Sequence, residues 1–496
     1  MSTNQQDFRN FEIPYQNTGF DAELAQNPRS RRNGSCCFFG CCLGCLGFLI
    51  LIALACFAFG YCLMSGGADL IVSEETTVIT EPLKSDGKTV DFFKAIQEMT
   101  EPQIPADENG FRDVLLAFGQ GIFGDGRNAE QRYIATCEAL GVDPQTPPKK
   151  IAFNDKNLDS VQAAVAKPHY FIPLVRQSEK DLMVASLPNY NSVFSFYGNL
   201  FEALLKRSKN RFDGGENVTA AWKDTLASLR LFRFVAANGL GVSERDSKQH
   251  KLLALHDSEV VKTLPKWTSE QLHQAIKDLE SLPNWQDWQR TLTMIQYYLL
   301  DLLSATNDWE NLVDVLGNGM PPNERQVWAG MFQLIAFDWN LVAKELNREI
   351  KAYGELLEKA EGGNRDEQFD LLDLRPMDVA VEMNEEELTA LLEDAIRTTG
   401  DFPLFTSGRS KLAGFIAGNL VKKVMGELFR LQLMEESRCQ ALRLAMALEL
   451  YHREHQNYPD SLDELGLQPM PENMSFQYQK QEAGYRLQNR VFELER

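Results

Sequence analysis

The chain has 496 residues, of which 44% are hydrophobic and 24% charged, and its formal net charge is −20 at pH 7. A body this acidic repels phosphate backbones, which excludes nucleic acid as a partner. Of nine cysteines, seven fall between 36 and 62, so this is not a disulfide-built scaffold, although Cys137 and Cys439 leave room for one pairing in an oxidising compartment.

Residues 1–35 are rich in Asn, Gln, Ser and Arg and lack apolar periodicity, which predicts a disordered tail. Their acids (Asp7, Glu12, Asp21, Glu23) are matched by Arg9, Arg29, Arg31 and Arg32, so the net charge resides further along the chain. Cys36 to Ala68 contains no Asp, Glu, Lys or Arg. Within it, Leu43 to Met64 holds eleven Leu, Ile or Phe residues. They contribute roughly −3 to −7 kcal/mol toward insertion, and about 20 residues are enough to cross a bilayer core. A transmembrane helix over 36–66 is expected, with the lipid bilayer as its partner.

Arg29, Arg31 and Arg32 precede this run, and Asp69, Glu74 and Glu75 come after it. The positive flank is expected in the cytoplasm, which makes a single-pass plasma-membrane protein with its C-terminal body outside. A cleaved signal peptide would have a shorter apolar region and a short basic leader. A lipoprotein site at Ala53-Leu54-Ala55-Cys56 lacks the usual Leu three residues before the cysteine. Gly40 and Gly44 are four apart, and Cys37, Cys41 and Cys45 share that period, so a homodimer packed through the membrane helix is one expectation.

Residues 67–90 read as an extended stalk. Residues 91–410 read as a helical exported body. Together with residues 411–496 it is too large for one core, so two or three packed units are expected. Helices are predicted at Val90–Met99, Gly110–Gly119, Ala129–Leu140, Val193–Lys209, Val218–Ala237, Asp287–Ala305 and Glu324–Lys359. Thr268 and Gln271 form a capping box ahead of Leu272, Ala275, Ile276, Leu279 and Leu282, with Pro283 as a stop. Asn384 and Glu387 repeat that pattern before Leu388, Leu391, Leu392, Ala395 and Ile396. A short β element is expected near 169–185, from His169–Leu174 and Leu182–Val184, with pairing limited by Pro173. Residues 411–496 predict a long helix, Leu412–His455, then a short helix from Ser461 to Leu465 and a three-stranded meander around Phe476, Tyr478, Tyr485, Leu487 and Val491. The fold class is thus mainly α, with a small C-terminal α+β module.

Few residues suggest chemistry. Cys42 and Cys45 make a CxxC, but no His or acid stands nearby, so close packing or acylation at the interface is the better reading. His452 and His455 lie near Glu449 and Glu454 without a zinc-protease spacing. The run Glu382, Glu385, Glu386, Glu387 suits a helix N-terminus. Asp155, Asn157 and Asp159 alternate like a calcium loop, yet Ala166 stands where the Glu should be. There is no GxSxG or GxxxxGK[ST]. Asn217-Val218-Thr219 and Asn473-Met474-Ser475 are glycosylation sequons for a host with that machinery. No catalytic, metal or cofactor-binding residue is assigned.

The stretch Ala445–Tyr451 followed by His455-Gln456-Asn457-Tyr458-Pro459-Asp460-Ser461-Leu462-Asp463-Glu464-Leu465 resembles the start of the globular part of type II secretion pseudopilins. There a long helix ends in a Tyr-Pro turn, then a short helix and a small antiparallel sheet. Those proteins join this helix directly to their membrane span and carry a Glu five residues into it. Here the segment lies far downstream, and Gly47-Phe48 is followed by Leu49, Ile50, Leu51 and Ile52. Processing and pilus assembly are therefore not implied.

The wider pattern is similar to a group of single-pass bacterial membrane proteins with a helical exported body and this same ending. Asp107–Phe111, Tyr170–Pro173, Ala220-Ala221-Trp222 and Leu229-Arg230-Leu231 share in that likeness. It implies an envelope location and partners among envelope proteins, and no activity. The leading expectation is a structural or protein-interaction component outside the cytoplasm. The alternatives are an extracytoplasmic hydrolase built on scattered carboxylates, which need no local motif, and a secretion-system accessory component.

Overall fold

The computed structural model describes residues 68–100, 104–124, 129–144, 151–176, 190–214, 217–237, 253, 256–285, 288–304, 337–361, 393, 397, 406–466, 476–481, 484–489 and 493–496. The expected tail 1–35, the span 36–66 with Gly40, Gly44 and its cysteines, the acidic run 382–387 and the Asn384 capping box lie outside the described residues. Among those described, no helix is long and apolar enough to cross a membrane.

The helices are α1 (Phe92–Thr100), α2 (Gly110–Phe118), α3 (Ala129–Ala139), α4 (Asp155–Val165), α5 (Tyr190–Gly214), α6 (Val218–Ala237), α7 (Ser269–Glu280), α8 (Trp288–Ser304), α9 (Trp339–Glu361) and α10 (Thr406–His455). Residues 256–263 are also helical. Caps explain many of their starts, because the first backbone N–H groups of a helix need acceptors from outside it. The Thr268 hydroxyl accepts from Gln271 N at 3.2 Å and the Gln271 side chain accepts from Thr268 N at 2.8 Å, closing the expected box. Asp91 Oδ1 accepts from Lys94 N, so α1 starts at Phe92 and not at Val90.

Of the helix expected over Glu324–Lys359, residues 324–336 lie outside the described residues and 337–338 are not helical, while α4 is overlooked by sequence alone. The reason at 337–338 is that Ala68 pairs with them: Ala68 N donates to Phe337 O and Trp339 N to Ala68 O. Asp338 Oδ1 then caps Asn340 N and α9 begins at Trp339. Asp155, Asn157 and Asp159 belong to α4, capped by Asn154 Oδ1 accepting from Asn157 N at 3.0 Å.

Residues 68–90, expected as a stalk, run along the body. The Asn340 amide donates to Asp69 O, Asn347 Nδ2 donates to Glu75 O and Thr76 O, and Lys84 pairs with Asp301. Residues 169–176, expected as part of a β element, form no strand, and 177–185 lie outside the described residues. His169 makes an isolated parallel bridge with Asn109, Gly110 N donating to His169 O at 2.8 Å, and the buried Asn109 side chain extends the contact to Phe171. Its Nδ2 donates to Phe171 O at 2.9 Å, and its Oδ1 accepts from Phe171 N at 3.0 Å and from Phe111 N at 3.1 Å.

Three buried apolar clusters hold the helices. The first joins α2, α3, α4, the start of α5 and part of α6 around Phe111, Phe118, Phe196 and Leu200. The second joins α1, α8, α9 and the first half of α10 around Phe92, Leu300, Leu346 and Met425. The third joins the rest of α5 and α6, α7 and the second half of α10 with the C-terminal sheet, around Trp222, Trp267, Leu442 and Tyr485. Cys137 and Cys439 are free and buried in different clusters.

α10 is fifty residues long and closes at Gln456, whose φ of +58° is left-handed. Pro459 comes next, then a 3-10 turn from Leu462 to Leu465 stopped by Gly466 at φ +59°. The strands β1 (Gln477–Lys480), β2 (Tyr485–Gln488) and β3 (Glu493–Glu495) form an antiparallel meander in the order β1-β2-β3. Tyr478 pairs with Leu487 and Leu487 with Leu494. The inward positions Tyr485, Leu487 and Leu494 are buried while Arg486, Gln488, Glu493 and Glu495 are not, the period-2 pattern of a one-sided sheet.

Candidate functional site

α4, α6 and α7 leave a half-open groove of about 820 Å³ between them. Its apolar floor is Val165, Leu226, Ala227 and the edges of Trp222 and Trp267, and exposed Ala163 and Ala166 continue it on α4. Its polar rim is Asp159, Gln162, Lys223, Arg230, Glu270, Gln271, Gln274 and Asp278.

The walls are fixed by buried charge. Arg207 of α5 donates from Nε and Nη2 to the fully buried Asp224 of α6, and from Nη1 to Asp159 of α4 at 2.8 Å. Arg211 Nη1 donates to Asp224 Oδ2 at 2.7 Å, and Gln162 Nε2 donates to Asp224 Oδ1. Burial pushes the Asp224 carboxyl up against the pull of Arg207 and Arg211. With this many donors the pair avoids the large cost of an unmatched buried charge. On the α7 side, Trp222 Nε1 donates to Asp278 Oδ2 at 2.9 Å and Gln274 Nε2 to Asp278 Oδ1 at 2.9 Å. Trp267 packs edge-on against Trp222 and stacks on Phe212.

Each acid of the rim has a partner within the protein. Asp159 holds Arg207, Asp278 holds Trp222 and Gln274, and Glu270 sits at the α7 N-terminus, where its own backbone N–H and the Thr268 hydroxyl hold its carboxyl below the usual range. The groove offers shape and hydrogen bonds.

Behind the floor, Ser208, Thr225 and His256 form a second polar group. The Ser208 hydroxyl donates to Ala221 O at 2.8 Å, and His256 Nε2 lies 2.9 Å from Thr225 Oγ1 and 3.3 Å from Ser208 Oγ. Burial, with the Arg438 and Lys209 charges added, pushes the His256 pKa down to about 4. A hydroxyl beside a neutral imidazole is the pairing of a nucleophile and its base. Here Ser208 and Thr225 have no exposed surface, so the group ties α5 to α6 and to residue 256 and meets no substrate.

The residues singled out in the sequence do not converge. His452 stacks on Tyr458 and His455 on Tyr451, while Glu449 is buried against Arg453 and Arg496. Asn217 accepts from Ala220 N at the start of α6. Among the described residues, no group of three or more His, Cys, Asp or Glu is placed to hold a metal ion. The groove escapes sequence reasoning because its walls come from three separated segments. The one local signal is the stretch from Ala220 to Leu231, which supplies Trp222, Lys223, Leu226, Ala227 and Arg230. Compared with known proteins, the chain matches no family model, no curated protein and no solved structure.

Proposed function

We propose that this chain is a membrane-anchored envelope protein whose helical body binds a partner outside the cytoplasm through the groove between α4, α6 and α7. The observation that carries this reading is a half-open groove with partnered acids and walls clamped by buried ion pairs. A preformed site of this size suits recognition. The uncharged run from Leu43 to Met64 supports the anchor, and the arginines before it support a cytoplasmic N-terminus. The order of long helix, Tyr-Pro turn, short helix and meander supports the resemblance to the pseudopilin globular part.

Fractionation and proximity labelling test this reading together. The full-length chain is expected in the membrane pellet after alkaline extraction, and its C-terminus is expected to be cut by protease added to spheroplasts. A labelling enzyme fused to the C-terminus is expected to tag envelope proteins. Recovery in the high-speed supernatant, or labelling of cytoplasmic proteins alone, overturns it.

A further inference from the structure

Arg230 is half-buried and lies in the lining of the groove without a carboxylate closed upon it. Arg176, Arg207, Arg233 and Arg438 each close on a carboxylate. Arg230 makes no ion pair among the described residues, and the hydrogen bond it has is a 3.5 Å contact from Nη2 to Ser281 Oγ. Asp278 lies close enough to act on its charge, but it accepts from Trp222 and Gln274 and forms no ion pair with Arg230. Burial disfavours the Arg230 charge, so an anion placed against it recovers a cost the free protein carries. Seven residues earlier on the same face of α6, about 10 Å along the helix axis, the exposed Lys223 also makes no ion pair among the described residues. Leu226 and Ala227 lie between the two cations and form floor.

We propose that the groove binds a ligand with an apolar body and a single carboxylate, the carboxylate on the Arg230 guanidinium and the body over Leu226, Ala163 and Ala166. This rests on the groove being the surface through which the body binds its partner. Charge selects a monoanion. The lining holds three acids and two bases, so a dianionic phosphate gains one half-buried guanidinium and meets the field of Asp159, Glu270 and Asp278. A carboxylate matches the planar guanidinium with two parallel hydrogen bonds.

The test uses the full chain in nanodiscs of zwitterionic phosphatidylcholine, titrated calorimetrically with naphthoate and with naphthylmethylammonium against empty nanodiscs. Naphthoate is expected to bind and the ammonium to bind about tenfold more weakly or not at all. Arg230→Gln is expected to weaken naphthoate about tenfold or more. Arg230→Lys is expected to restore part of it, and Ala163→Trp, on an exposed helix position, to block it while leaving the circular dichroism melt unchanged. Equal binding of both probes, or naphthoate binding unchanged by Arg230→Gln, overturns the carboxylate assignment and leaves the groove reading standing. An envelope labelling profile unchanged by Ala163→Trp overturns the groove reading itself.

Discussion

Arg438 of α10 and Asp257 meet in the interior with 1% of each side chain exposed, Nε donating to Oδ2 at 2.6 Å and Nη2 to Oδ1 at 3.1 Å. Arg438 Nη1 is buried with no partner among the described residues, so Asp257 carries almost all the compensation for this cation. Removing one member of such a pair is far more damaging than removing both. Asp257→Ala is expected to cost about 3 to 5 kcal/mol in chemical denaturation, and the double change Asp257→Leu with Arg438→Met to recover most of it. Equal losses in the single and double variants would refute the pairing.

The pH response of the same region comes from His256. Its pKa falls from an unfolded value near 6.5 to about 4 in the folded protein. Between those values the unfolded chain binds the extra proton, so the contribution of His256 is fully present above pH 6.5 and is lost as pH falls through 4. The linkage amounts to about 3 kcal/mol. Urea midpoints at about pH 7 and about pH 4.5 are expected to differ less in His256→Gln than in the parent protein. An unchanged difference would show that His256 is not buried neutral.

Gly414 and Gly418 let α10 approach α9 closely. A Cβ at Gly414 would strike Val342 O and lie 2.6 Å from Glu345 Cβ, and one at Gly418 would strike Glu349 Cβ. In an exposed helix, alanine would be better than glycine by about 1 kcal/mol. Here Gly418→Ala is expected to lower stability by about 1 to 3 kcal/mol. A raised melting temperature would contradict this packing.

Asn109 separates two roles that one substitution can tell apart. As a cap, Asp would serve α2 as well as Asn. As a partner for Phe171, Asp loses the Nδ2 donor and sets a carboxylate against Phe171 O. Asn109→Asp is therefore expected to destabilise by about 1 to 3 kcal/mol. A neutral outcome in thermal denaturation would reduce Asn109 to a cap.

What the sequence discloses is what neighbours along the chain decide. The Thr268 box, the start of α2 at Gly110, the limits of α6 at Val218 and Ala237 and the alternation of Tyr485 and Leu487 are set within a few residues. The misreadings arise from distant partners. Ala68 holds Phe337 and Asp338 out of the helix predicted there, Asn347 draws 75–76 onto the body, and Asn109 anchors residues 169–171 through a bridge and its side chain. α4 is obscured for a local reason, because the alternation of Asp155, Asn157 and Asp159 masks Asn154 as a cap. The groove is hidden by distance again. Arg230 reads as an ordinary surface cation until α7 shows that its nearest acid is already engaged.

The unbroken course of α10 has a mechanical consequence. At about 1.5 Å per residue its fifty residues form a rod of about 75 Å. One end is packed among α8 and α9 and the other beneath the meander. A stiff rod transmits a pull or twist with little loss, so a load applied to the meander reaches Ala68 through Asp338, whose backbone N–H donates to Ser410 of the same rod.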